Sequence, residues 1–215
     1  MIFTQKWIGD AVRKVLNCKD EMIADKDIAR IKYLRVGETF DNQFFIQISL
    51  ENPPLPFVSA SGGDEWAFCC IRGDNLESFI DKTIEKEKNS TDIQLSLGSS
   101  DYKDKEMQQY AYSDKARRAW NTFKESIISN TYYEEFEDDT AYDVWYEQNQ
   151  INIAKDIVYF KGVQVLRING LVFDGFNIFK ELSELKVLEL VETNFHSVDE
   201  IEELKKLEQL CCWLD

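Results

Sequence analysis

The chain has 215 residues, 44% of them hydrophobic and 13% aromatic, and its 40 acidic against 25 basic side chains give a formal net charge of -15. That much apolar material builds a packed core, which sets disorder aside, and the length suits one large domain or two small ones. The charge repels nucleic-acid phosphates and anionic lipid surfaces and attracts cationic partners, so neither nucleic acid nor membrane is an expected partner.

The N-terminus does not combine a basic head, an apolar stretch and a small-residue cleavage site, and no apolar run approaches the roughly 20 residues that span a bilayer. A cytoplasmic protein is expected. Trp7, Ile8, Val12, Val15 and Leu16 fall on one helical face and predict a packing helix. Asp27-Ile28, Ile31-Lys32 and Leu34-Arg35-Val36 then echo Asp156-Ile157, Phe160-Lys161 and Leu166-Arg167-Ile168. Residues 1–43 are therefore read as a helix followed by a repeat-like entry segment that is interrupted and resumes near Gln150.

Residues 44–129 have a different texture. Phe44 to Leu50, Trp66 to Ile71 and Ile93 to Leu97 are strand-like runs separated by a proline-rich break at Pro53 and a Ser61-Gly62-Gly63-Asp64 turn, predicting a small sheet. Leu76, Phe79, Ile80, Thr83 and Ile84 mark one helix, and Ala116, Ala119, Trp120, Phe123 and Ile127 another. The segment reads as an α+β insert.

Residues 130–150 form an acidic, aromatic connector. From Glu125 to Ala154 there are eight carboxylates and neither lysine nor arginine. Tyr132, Tyr133, Glu134, Glu135, Phe136, Asp138, Asp139, Tyr142 and Trp145 are the candidate protein-binding residues, because aromatic anchors among charges of one sign suit a hot spot for a basic partner. The opposing interpretation is an element whose aromatics pack inward while its acids are solvated.

The last segment, 151–215, carries the clearest signal. Val163, Leu166, Ile168, Phe173, Phe176 and Phe179 recur 22 positions later as Leu185, Leu188, Leu190, Phe195, Val198 and Ile201. A second step takes Leu182, Leu185, Leu188 and Leu190 to Leu204, Leu207, Leu210 and Cys212. Alternating pairs such as Leu188 and Leu190 point both side chains to one face of a short strand, and the apolar intervals of three between them suit a helical return. The stretch from Val163 resembles a leucine-rich-repeat array of the 22-residue, internalin-like bacterial kind. The resemblance covers about a quarter of the chain, and the asparagine ladder is incomplete, with Asn194 matched by Val172. It implies a parallel strand layer that holds another protein. The fold class expected for the whole is α/β, a short C-terminal repeat array combined with an α+β insert and an N-terminal helix. The last predicted strand is a candidate open edge, available to a homodimer or a partner.

Residues that carry chemistry are sparse. The sole histidine, His196, has no recognisable nucleophile beside it, and Gly62-Gly63-Asp64 precedes a strand, unlike a phosphate-binding loop. Paired acids such as Glu134 with Glu135 have no reason for separated pKa values, and Asp138, Asp139 and Asp143 do not space as a calcium loop. Five cysteines without a CxxC spacing are expected to be free thiols. No catalytic residue, metal or cofactor is expected. The function anticipated is non-enzymatic protein binding, and in charge and size, though in no motif, the chain is similar to bacterial toxin-neutralising immunity proteins. The alternative is a small-molecule-binding or enzymatic domain in the insert, near Asp64, Trp66, Cys69 or Cys70.

Overall fold

Successive side chains of a strand point to opposite faces, so a sheet can bury apolar residues on one side or on both, and six short segments here are strands. In the computed structural model, which describes residues 1–39, 41–54, 114–136, 138–171, 178–191, 193, 201 and 204–213, they form one sheet of order β3-β2-β1-β4-β5-β6. The strands are β1 (Tyr33–Glu38), β2 (Phe44–Ser49), β3 (Ile128–Tyr132), β4 (Val165–Asn169), β5 (Val187–Val191) and β6 (Gln209–Trp213). Helices α1 (Lys6–Leu16), α2 (Asp25–Ile28), α3 (Asp114–Lys124) and α4 (Asp139–Ile157), with a 3₁₀ turn at Phe179–Glu181, complete the described elements.

β4, β5 and β6 run parallel with partners 22 residues apart: Leu166 faces Leu188, which faces Leu210. β1 lies parallel to β4 on the other side, and the residues that echo in sequence are partners, Leu34 with Leu166 and Val36 with Ile168. The turns entering these strands repeat as well. The amides of Ile31, Val163, Leu185 and Leu207 each donate to the carbonyl three residues back, at 3.0 Å. One carbonyl per turn then accepts from the next, Lys32 from Gln164 (2.8 Å), Gln164 from Lys186 (2.8 Å) and Lys186 from Glu208 (2.7 Å). Four turns of chain are thus stacked in one register.

Phe44 to Ser49 does not belong to a separate small sheet, as the sequence suggested. It pairs antiparallel with β1, Val36 opposite Ile46, across a turn in which Asn42 takes φ 56°. The physical reason is that Phe44, Ile46 and Ile48 share one face and are buried in the same core as Leu34 and Val36. The boundary drawn at 43/44 therefore falls inside a hairpin, and the one at 129/130 falls inside β3, which pairs antiparallel with β2. The strands expected over 66–71 and 93–97, the helix over 76–84, the turn at 61–64 and residues 194–198 lie outside the described residues.

The main core fills the face of the sheet bearing Leu34, Leu166, Leu188 and Leu210, closed by α1, α4 and the returns through Leu182, Leu185, Leu204 and Leu207. Gly162 belongs to this stacking, since a Cβ there would meet the Ala29 carbonyl oxygen at 1.8 Å. The other face holds a smaller cluster, in which Trp120 and Phe123 of α3 cover Tyr33, Val165 and Val187. Beside it, Arg167 and Glu189 are partners on β4 and β5 and form an ion pair at 4% and 1% exposure. Burial by itself would lower the Arg167 pKa, but the Glu189 carboxylate and the Tyr33 hydroxyl outweigh it and the net direction is upward.

Helix α1 has no cap from its own side chains. The two residues that lead into it are held instead by Asp156 of α4, fully buried, whose two carboxylate oxygens accept from the amides of Thr4 (2.8 Å) and the N-cap Gln5 (2.7 Å). Asp156→Ala is expected to cost about 2 kcal/mol, because two sheltered amides lose their acceptor. Burial pushes the Asp156 carboxyl above its ordinary value of 3.8, with the two amides pulling the other way. The folded chain then holds this proton more tightly than the unfolded one, so this group's contribution to stability falls as pH rises from about 4 through the raised pKa. Urea melts of wild type and Asp156→Asn should show the wild type's advantage shrinking over that window, and an advantage that grows toward neutral pH would contradict the assignment.

Candidate protein-binding surface

The acidic, aromatic segment is the end of β3, a short crossing and the first half of α4. Asp138 starts the helix as its N-cap, accepting from the Ala141 amide at 2.8 Å, and a carboxylate there also complements the positive end of the helix dipole. Because β3 is the outermost of the described strands on its side, the segment lies along that edge of the described sheet.

The aromatics are brought together. Tyr132 stacks on Trp7 of α1 with centroids 6.0 Å apart and rings 7° from parallel, and it meets Trp145 at 5.9 Å. Trp145 also packs on Phe136 at 5.0 Å and on Tyr142 at 5.9 Å. Phe44, which the sequence did not mark, and Tyr146, an aromatic of the same acidic stretch, close the cluster from β2 and from the next turn of α4. Tyr132, Phe136, Tyr142 and Trp145 are half-buried, so each has one face committed to the fold. Tyr133 differs, being 51% exposed, and Glu134, Glu135 and Asp138 are exposed beside it. Asp139 opens α4, and Glu137 lies outside the described residues.

Burial first, and neighbouring carboxylates second, raise the pKa of three phenols. The Tyr142 hydroxyl donates to Glu38 at 3.3 Å, and burial followed by that carboxylate pushes its pKa up to about 12. Burial and then Glu38 raise Tyr146 as well, and its hydroxyl donates to the Gly170 carbonyl at 3.2 Å. Burial and then Glu134, to which its hydroxyl donates, raise Tyr132. These are hydrogen-bond donors at neutral pH.

The first turns of α4 also line an open groove of about 660 Å³. Ala141, Val144 and Trp145 supply its apolar wall, and Asp138, Thr140, Gln148 and Asn149 its polar rim. The sequence reading missed this helix face, although residues 141, 144, 145, 148 and 149 follow the three- and four-residue spacing of one helical stripe. Val144 is 65% exposed in that wall. The geometry offers apolar contact area and hydrogen-bonding groups within a single-signed field. Among the described residues, no group of three His, Cys, Asp or Glu side chains is arranged to hold a metal ion, and no helix is long and apolar enough to cross a membrane. Cys18 is a free thiol, while Asp64, Trp66, Cys69 and Cys70 lie outside the described residues. Comparison with protein-family models, with curated proteins and with solved structures yields no match.

Proposed function

We propose that this chain is a non-enzymatic protein-interaction module, built on a short leucine-rich-repeat array, that docks a basic protein on the β3–α4 edge in the manner of an immunity-type inhibitor of a basic toxin or effector. The observation that carries this reading is the exposure of Val144 and Tyr133 inside a thirty-residue stretch with eight carboxylates and no lysine or arginine. Exposed apolar side chains within a field of one sign supply both the contact area and the electrostatic steering that a cationic partner needs. The four stacked turns support the repeat assignment, since their register is 22 residues wherever the turns follow one another in sequence.

The test is purification from the native cell followed by identification of what co-elutes, with the double variants Glu134→Lys/Glu135→Lys and Asp143→Lys/Glu147→Lys in parallel. These four side chains are exposed, so the fold should tolerate the changes. A stoichiometric basic protein is expected, with affinity that falls by about tenfold or more in each double variant and weakens with salt. Capture of a partner that is indifferent to both variants would remove the docking role from this edge.

A further inference from the structure

The opposite face of the sheet carries a second arrangement, which does not depend on the docking surface. One row runs in register across the strands: Ser129, Gln47, Arg35, Arg167 and Glu189. In a chain with 40 acids against 25 bases, the cations of this face would be expected to be neutralised. Arg167 is, by Glu189. Arg35 has no carboxylate partner among the described residues: its Nε donates to Asn169 Oδ1 at 3.0 Å, and its guanidinium lies 5.0 Å from the centre of the Phe45 ring. Lys124 of α3 is in the same position, with its Nζ 5.7 Å from the centre of the Trp120 ring and no described carboxylate.

Both cations line one half-enclosed cavity of about 310 Å³ between α3 and the sheet, which Tyr33, Gln47, Trp120, Ile127, Ser129 and the Glu189-paired Arg167 complete. We propose that this cavity is a binding site for a small oxyanion, a carboxylate or phosphate group borne by a small molecule. A guanidinium presents paired N–H donors that match the two oxygens of such a group, and the ammonium adds a second point charge. The Gln47 amide and Ser129 hydroxyl add neutral donors. The volume is at the small end of the range for ligand sites, which limits the occupant to a few heavy atoms beyond the anionic group. Burial and then the neighbouring Arg167 lower the Arg35 pKa, with Tyr33 and the Glu189 carboxylate offsetting this only in part.

Titrations of the full chain followed by amide NMR would use sodium phosphate, sodium acetate and sodium chloride at matched ionic strength. Saturable shifts at Arg35, Gln47 and Ser129 with phosphate or acetate, absent with chloride, are expected, and the preferred anion identifies the ligand class. Arg35→Gln and Lys124→Gln should each weaken that binding by about tenfold. Lys124 is exposed, so its variant keeps the test valid if Arg35→Gln does not fold. No saturable response to either oxyanion, responses equal to those of chloride, or affinity unchanged in the folded variants would each overturn the proposal.

Discussion

Leu188→Ala is expected to destabilise the chain by about 2 to 5 kcal/mol, the range found where a leucine is cut back in a close-packed interior that collapses incompletely. Leu188 has 0% exposure and sits in β5 between Leu166 and Leu210, so the cavity would open in the middle of the stack, with rigid strands on both sides. Denaturant melts of wild type and variant measure the loss directly, from the shift in midpoint at constant slope. A loss under about half a kcal/mol would show that the row is not close-packed and would remove the physical basis of the repeat assignment.

Glu189→Ala should cost about 3 to 5 kcal/mol, the amount typical when one member of a sequestered ion pair is removed and the other charge stays buried. Both side chains are buried, at 4% and 1% exposure, so little water reaches Arg167 to replace the carboxylate. The informative comparison is the double variant Arg167→Met/Glu189→Leu, which removes both charges and keeps most of the volume. Recovery of at least half of the single variant's loss is expected, since apolar replacement of buried pairs is often neutral or stabilising. A double variant as unstable as Glu189→Ala would show that these groups hold the strands in place by more than mutual compensation.

The parallel strands were legible because their period is carried by residues the core cannot do without. Each of Leu166, Ile168, Leu188 and Leu190 is a buried position, so the spacing survives in the sequence as a repeat. The partner of the first of these strands was visible only as an echo in Leu34-Arg35-Val36, since pairing over so great a separation leaves no local signal. The β1–β2 hairpin was missed although Asp41-Asn42 stands between two apolar runs, the ordinary mark of a tight connection. β3 was missed because only Ile128 and Tyr132 of its five residues are large and apolar, and none of the five is fully buried. In the candidate surface, sequence composition identified the segment but not which aromatics face outward. Tyr132 and Tyr133 look alike in a sequence, yet Tyr132, the last residue of β3, stacks on Trp7 while Tyr133, just past the strand, is exposed. The cavity at Arg35 was unreadable for a related reason: its lining comes from β2, β1, β4, β3 and α3, and no spacing links them.

The stacking order also sets how this chain must find its shape. Arg167 reaches Glu189 across 22 positions but Tyr33 across 134, and closing the longer loop costs about 1.5 kcal/mol more in chain entropy by the logarithmic law. The three C-terminal strands can assemble by short-range steps, each on the template of the last, whereas the β1–β2 hairpin must travel to an already formed edge. Refolding should therefore be paced by a late docking event, with substitutions at Leu34 or Val36 accelerating unfolding more than they slow folding, and Leu188 showing the reverse balance. Stopped-flow rates for the two sets of variants would reveal that asymmetry, and equal partition between the arms at both places would refute it.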